Sequence, residues 1–210
     1  MARVLIEGSS TAYGLWGGLH GGWADRLKAD LLTTPDRDQY ATVINLATPL
    51  REVDVIEQTL PQNARTYAGR SLARVGIFML GTNESRQIKG EYSVPPEAFR
   101  RSVGRICAIS HDFGYTPLFL GMPPIDETRV AHLNSRYTEA SRILYQDIVQ
   151  EVATDNGDTF IDIETALAQR YPDHDTILDK DGMHVNDVGH AAIHEIVTPI
   201  VKDMLAQLRS

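Results

Sequence analysis

Asp181 and His184 stand three residues apart in the segment "DGMHVNDVGH" (181–190), a spacing that allows the two side chains to meet. A turn brings residues i and i+3 to within about 7 Å between their Cα atoms, and Gly182 makes such a turn easy. A carboxylate that holds one ring nitrogen of a histidine leaves the other nitrogen free to act as a base. The pair therefore indicates general-base chemistry and requires a nucleophile from another part of the chain.

The candidate nucleophile is Ser10, which follows a short apolar run and Gly8 in "VLIEGSSTAYG". A serine hydroxyl is a weak nucleophile at neutral pH and is activated by an adjacent base, usually a histidine. Acyl transfer also needs hydrogen-bond donors for the oxyanion of the tetrahedral intermediate, and one such donor is typically worth about 10²–10³ in turnover. The predicted donors are the backbone N–H of Ser10 and the side-chain amide of Asn83, in "GTNES" (81–85).

Five short apolar runs alternate with longer segments of helical period. The runs are nearly continuous, as in strands buried on both faces of a parallel sheet; they are "RVLIE" (3–7), "ATVINLA" (41–47), "RVGIFML" (74–80), "TPLFLG" (116–121) and "TFIDI" (159–163). The alternation predicts an α/β fold with a doubly wound parallel sheet and helices on both faces, in one domain over residues 1–210. Ligands bind such sheets outside the carboxyl ends of the strands, which is where Ser10 and Asn83 follow their runs.

Composition narrows the classes of partner. Of the 210 residues, 42% are hydrophobic and 23% are charged, which is typical of a globular protein and unlike a disordered, fibrous or membrane-spanning chain. The net charge of −8 makes nucleic acid and anionic membrane surfaces poor partners and favours small neutral substrates. The single cysteine, Cys107, excludes an internal disulfide and is expected in the core. The apolar run in "MARVLIEG" is too short for a signal peptide or a membrane helix, so we expect a cytoplasmic protein.

The chain resembles the GDSL or SGNH hydrolases over most of its length. "VLIEGSSTAYG" is similar to the first conserved block of that family, "GTNE" to the third and "DGMHVNDVGH" to the fifth. The resemblance implies a flavodoxin-like sheet of about five parallel strands, with Ser10 as nucleophile, Asn83 in the oxyanion hole, and Asp181 and His184 completing the triad. It also implies hydrolysis of carboxylic esters or thioesters, or removal of acetyl groups from sugars, with neither a cofactor nor a metal.

Three positions depart from the family pattern. Ser9 and Glu84 each stand where the family usually has aspartate. Leu50, in "NLATPLRE", falls on the glycine whose backbone N–H points into the oxyanion hole, and the neighbouring Pro49 has no N–H to donate. Leu50 keeps an N–H, so it remains a candidate third donor. An alternative consistent with Leu50 and Ser9 is a binding protein that keeps the scaffold but has lost efficient turnover.

The position of several apolar side chains suggests the walls of a substrate pocket: Trp16, Met122, Ile125 and Met183. His190 and His194 are four residues apart and could face a metal ion, but the pattern matches no zinc-protease helix and no third ligand is evident. We interpret both as the polar flank of an amphipathic helix. The sequence contains no glycine-rich dinucleotide motif and no P-loop, so a flavodoxin-like nucleotide or flavin binder is the weaker reading.

Overall fold

A computed structural model describes residues 2–37, 39–70, 73–131 and 135–209. Its main sheet has five strands, all parallel, in the order β2-β1-β3-β6-β7. The chain segment that connects β3 to β6 contains a separate two-stranded antiparallel hairpin, formed by β4 and β5. The strands are β1 (Ala2–Gly8), β2 (Ala41–Asn45), β3 (Arg74–Met79), β4 (Gln87–Ile88), β5 (Glu91–Tyr92), β6 (Thr116–Leu120) and β7 (Thr159–Ile161).

Eight α-helices connect and cover these strands within the described part of the chain. They are α1 (Ser10–Tyr13), α2 (Trp23–Thr33), α3 (Val53–Tyr67), α4 (Pro96–Asp112), α5 (Glu127–Val130), α6 (Glu139–Asp155), α7 (Ile163–Arg170) and α8 (Asp187–Gln207). Two hydrophobic clusters place α2, α7 and α8 on one face of the sheet and α3, α4 and α6 on the other. The predicted three-layer, doubly wound fold is therefore confirmed, with the flavodoxin-like strand order.

Burial on both faces explains the continuous apolar runs. In β1, Val4 and Ile6 belong to the cluster with α2, α7 and α8, whereas Leu5 points into the other cluster. Because successive side chains of a strand alternate between faces, a strand covered on both sides is apolar at most positions, and not only at every second one. The five predicted runs agree with the observed strands to within two residues at each end.

Local signals set several boundaries. The side chain of Asn186 accepts a hydrogen bond from the backbone N–H of Gly189 at 3.1 Å and so caps α8. The segment "KGEYSVPPE" (89–97) supplies the turn and second strand of the hairpin and the first two residues of α4. Cys107 is buried in α4, where desolvation raises the pKa of its thiol to about 12. Within the described ranges, no helix has the length and apolarity needed to cross a membrane.

Candidate active site

Ser10 lies just beyond the carboxyl end of β1, as the first residue of α1. The turn that puts it there depends on Gly8. A Cβ atom at Gly8 would lie 2.8 Å from the carbonyl oxygen of Met79 and 2.8 Å from the Cβ of Ala12. No side chain fits between β3 and α1 at that distance, so glycine lets the chain turn tightly enough to present Ser10 at the edge of the sheet.

The segment before α8 brings an imidazole to this hydroxyl. His184 Nε2 lies 2.8 Å from Ser10 Oγ, and His184 Nδ1 lies 2.7 Å from Asp181 Oδ2. Since the carboxylate accepts a hydrogen bond, Nδ1 carries the proton and Nε2 is free to accept one from Ser10. The structure thus joins Ser10, His184 and Asp181 in one continuous hydrogen-bonded chain.

Asp181 is fixed by its own backbone turn. Its Oδ1 accepts hydrogen bonds from the backbone N–H groups of Met183 and His184, both at 2.9 Å. Gly182 adopts φ +73°, the left-handed conformation that the turn requires. Partial burial pushes the pKa of Asp181 upward, but these two backbone bonds and the contact with His184 outweigh it and hold the pKa below its usual value. The carboxylate is therefore ionised and correctly aimed.

Trp16 makes a direct hydrogen bond to Asp181. Its indole Nε1 donates to Asp181 Oδ2 at 3.0 Å, and the side chain is 53% exposed. The residue has φ +65°, a conformation uncommon for a bulky side chain and often retained at functional positions. Sequence reasoning placed Trp16 near the site but missed its bond to Asp181, because the backbone conformation that aims the indole has no sequence signature.

Asn83 follows β3, the neighbour of β1. Gly8 pairs with Met79 in the sheet register, so the loops that carry Ser10 and Asn83 leave the same edge side by side. Asn83 is buried, and its Nδ2 donates to the backbone carbonyl of Arg51 at 3.2 Å. An amide nitrogen has two N–H groups, so this bond leaves a second one for another acceptor.

Leu50 also adopts a left-handed conformation, with φ +63°. It sits in a turn closed by a hydrogen bond from the backbone N–H of Arg51 to the carbonyl of Thr48 at 3.2 Å. Its side chain is 74% exposed, so the leucine is directed to solvent. A positive φ is the conformation for which glycine is usually selected, so the backbone at Leu50 has the shape expected where a glycine is the usual residue.

Glu84 connects the loop after β3 to the start of α3. Its carboxylate accepts hydrogen bonds from the backbone N–H of Val53 at 2.6 Å and of Gly81 at 3.0 Å. The side chain is fully buried, and desolvation raises its pKa to about 7 although those backbone bonds lower it. From the sequence, Glu84 looked like a small change from aspartate; its bridging role depends on a partner 31 residues away.

Two sequence expectations are wrong. Met122 is fully buried and packs with Tyr145 in the core beneath the site, because its side chain points inward from the end of β6 and not into a pocket. His190 is also fully buried, not on a polar flank: Nδ1 accepts from the backbone N–H of Trp23 at 3.2 Å and Nε2 donates to the carbonyl of Leu15 at 2.8 Å. Both ring nitrogens are thereby satisfied inside the protein.

The structure also describes Ile125, Met183 and His194. Ile125 and Met183 are half-buried, and the backbone N–H of Met183 belongs to the turn around Asp181. His194 pairs with Asp30 through Nε2 at 3.0 Å and does not meet His190 at a common ligand position. Among the described residues, no group of three or more histidine, cysteine, aspartate or glutamate side chains is arranged to hold a metal ion.

The chain is similar to known hydrolases in sequence pattern and in fold. Residues 7–192 match the model of the GDSL-like lipase/acylhydrolase family. Among solved structures, the lipase/acylhydrolase from Enterococcus faecalis has a TM-score of 0.77 and 18% sequence identity, with 97% of this chain and 96% of that chain covered.

Two further solved structures share the fold. The acetyl xylan esterase AlAXEase has a TM-score of 0.74 and 18% identity, over 95% of this chain and 99% of its own. TesA has a TM-score of 0.72 and 16% identity, over 96% of this chain and 99% of its own. A comparison with curated protein sequences gives no match.

Proposed function

Because the chain belongs to the GDSL-like lipase/acylhydrolase family, we propose that it is a serine hydrolase that cleaves carboxylic esters, or thioesters, of small acyl substrates. The observation that carries this proposal is the hydrogen-bonded chain from Ser10 Oγ to His184 Nε2, 2.8 Å, and from His184 Nδ1 to Asp181 Oδ2, 2.7 Å. These three groups have the chemistry and the order that acyl transfer requires.

In the first half of the proposed reaction, Ser10 Oγ attacks the acyl carbon and its proton passes to His184 Nε2. The negative charge that develops on the carbonyl oxygen is stabilised by the free N–H of the Asn83 amide, the backbone N–H of Ser10 and the backbone N–H of Leu50. The tetrahedral intermediate then collapses. His184 returns the proton to the departing alcohol or thiol, and the acyl group stays on Ser10 as an ester.

In the second half, water replaces the alcohol. His184 takes a proton from the water as it attacks the acyl carbon, and the second tetrahedral intermediate collapses to release a carboxylic acid. The proton returns to Ser10 Oγ, which restores the resting enzyme. Asp181 stabilises the imidazolium that forms in each half and keeps Nδ1 protonated throughout.

The adjacent Ser9 provides a matched control for the proposed nucleophile. Ser10→Ala should abolish hydrolysis of p-nitrophenyl acetate while leaving the circular dichroism spectrum and thermal transition unchanged, because the hydroxyl is small and lies at the edge of the sheet. Ser9→Ala should retain activity within about threefold. Full activity in Ser10→Ala would refute the assignment, as would equal losses in the two variants.

A second candidate is a carbohydrate O-deacetylase of the same chemistry. Trp16 favours it, because a half-exposed indole beside Asp181 offers an apolar face on which a sugar ring could stack. An acetyl xylan esterase is also among the proteins that share the fold. Comparison of acetylated xylo-oligosaccharides with p-nitrophenyl esters separates the two: a deacetylase should prefer the acetylated sugar, and Trp16→Ala should raise KM for the sugar more than for the aryl ester.

A further inference from the structure

An ion pair between a fully buried carboxylate and a mostly buried guanidinium lies next to the candidate oxyanion donor Asn83. Glu7, on β1 and three residues before Ser10, is completely buried and pairs with the guanidinium of Arg51. Asn63, on α3, donates to the other carboxylate oxygen of Glu7 at 3.0 Å. Desolvation raises the pKa of Glu7, although Arg51 and Asn63 both lower it. The strand that precedes Ser10 thus holds a carboxylate in the protein interior.

Arg51 is bound from three directions. Its guanidinium contacts Glu7 on β1, donates to the carbonyl of Leu46 at 2.8 Å and donates to the hydroxyl of Thr59 on α3. A buried ion pair is a poor way to gain stability, because the cost of removing two charges from water offsets most of their attraction. What such an arrangement does provide is a fixed position for the backbone of Arg51.

That backbone is the part of Arg51 that touches the candidate oxyanion donor. Its carbonyl oxygen accepts a hydrogen bond from Asn83 Nδ2 at 3.2 Å. The preceding residue, Leu50, has φ +63°, so the loop here is in a conformation that its own sequence does not favour. The anchored guanidinium is the side-chain contact of Arg51 that holds this loop, in addition to the backbone bond from Arg51 N–H to the carbonyl of Thr48.

We propose that Arg51 is a positioning residue of the oxyanion hole: its side chain, clamped to Glu7, fixes its carbonyl, and that carbonyl orients the amide of Asn83. The inference rests on the proposed hydrolase function and adds a role for a residue outside the triad. Any amino acid at position 51 would supply a carbonyl, but the arginine adds a side-chain anchor to β1 beside the backbone bond from Thr48 N–H to the carbonyl of Gly8 at 3.3 Å. The ion pair therefore ties the position of the amide to β1, the strand that precedes Ser10.

A double-mutant cycle tests this role. Asn83→Ala should lower kcat by about 10²–10³, and Arg51→Met should lower kcat by at least about tenfold with KM changed less than threefold. Because Arg51 acts through Asn83, the double variant should be no slower than Asn83→Ala by more than about threefold. Independent, multiplying losses would overturn the proposal, since a general structural effect does not depend on the amide.

Arg142 offers a matched control for loss of a buried arginine. Its side chain is buried and pairs with Glu139 and Glu164, as that of Arg51 pairs with Glu7. Arg142→Met should lower the thermal transition temperature as Arg51→Met does, yet leave kcat within about twofold of the wild type. If both arginine variants lose kcat in proportion to their loss of stability, Arg51 has no positioning role.

Glu7→Gln keeps the shape of the pair and serves if Arg51→Met does not fold. It should show the same dependence on Asn83, with kcat reduced in the wild-type background and unchanged in the Asn83→Ala background; equal losses in both backgrounds would refute the proposal. The activity of the wild type distinguishes failure of the proposed function from failure of the proposed role of Arg51. A folded wild type that hydrolyses no ester or thioester overturns the proposed function and this inference with it, whereas an active wild type with multiplying losses overturns the role of Arg51 alone.

Discussion

Asp181→Asn is the substitution whose effect can be worked out most fully from the structure. The carboxylate accepts four hydrogen bonds: Oδ1 from the backbone N–H groups of Met183 and His184, and Oδ2 from His184 Nδ1 and Trp16 Nε1. An asparagine side chain has one acceptor oxygen and one nitrogen that can only donate. Asparagine therefore cannot accept from both the two backbone N–H groups and the two side-chain groups, and one of these two pairs of hydrogen bonds must be lost.

Each orientation of the amide has a defined consequence. If the oxygen stays with the two backbone N–H groups, the NH2 group faces His184 Nδ1 and selects the tautomer in which Nδ1 accepts. His184 Nε2 then carries the proton and cannot take one from Ser10. If the amide is reversed, two partly buried N–H groups lose their acceptor, at up to about 1–3 kcal/mol each, whereas the first orientation removes the acceptor of the exposed Trp16 indole N–H, which water can replace. The first orientation has the lower free-energy cost, and an enzyme in that orientation lacks the base for Ser10.

The expected loss in kcat is about 10⁴-fold, as for the equivalent change in Ser-His-Asp proteases, which corresponds to about 5 kcal/mol of transition-state stabilisation. The assay is steady-state hydrolysis of p-nitrophenyl acetate by purified variants, with the thermal transition measured in parallel. Asp187→Asn is the control, since Asp187 is exposed on the same segment and pairs with Arg26 outside the triad. More than about a tenth of wild-type activity in Asp181→Asn would refute the reasoning.

Three further predictions concern the loops around the site. Asn83→Ala should reduce kcat by about 10²–10³ with little change in KM, because the amide acts on the oxyanion and not on the bound ester; a change confined to KM would contradict this. Glu84 has a folded-state pKa raised to about 7 from 4.5, so the folded protein holds this proton more tightly than the unfolded chain. Its contribution to the free energy of unfolding should therefore fall as pH rises from 4.5 to 7, by about 3 kcal/mol in total. Chemical denaturation of Glu84→Gln between about pH 4.5 and 7 should therefore show a smaller decrease in the free energy of unfolding than the wild type shows. The same decrease in both proteins would exclude Glu84 as its source. Leu50→Gly should raise the free energy of unfolding by up to about 1 kcal/mol, because relief of the left-handed strain exceeds the entropy cost of glycine; the measurement is a denaturant melt, and clear destabilisation would show that the exposed side chain has an unrecognised contact.

The fold and the residues Ser10, His184 and Asp181 were predictable because the sequence signals for them are local. Each strand is a run of apolar residues covered on both faces, and the pairing of Asp181 with His184 needs only a turn and a glycine. Placement of Ser10 followed from a general property of parallel sheets, whose strands end at a common edge. None of these inferences required knowledge of a distant partner.

The parts that were missed depend on contacts between segments far apart in the chain. Glu7 and Arg51 are 44 residues apart, and nothing in "RVLIE" indicates that its glutamate is buried. Met122 was placed in a pocket because it follows a strand, but the direction of its side chain is set by the packing of α6. His190 was read as exposed because helical spacing alone does not say which face of α8 meets the carbonyl of Leu15.

The central claim is that Ser10 is an activated nucleophile, and covalent labelling with a fluorophosphonate tests it most directly. The reagent reacts quickly only with a hydroxyl that has a working base beside it. We expect stoichiometric loss of activity and a single adduct, mapped by peptide mass spectrometry to Ser10, with labelling slowed at least a hundredfold in His184→Ala. A folded wild type that takes up no label, or takes it up on another residue such as Ser9, would contradict the account and favour a binding protein that has kept the scaffold without the chemistry.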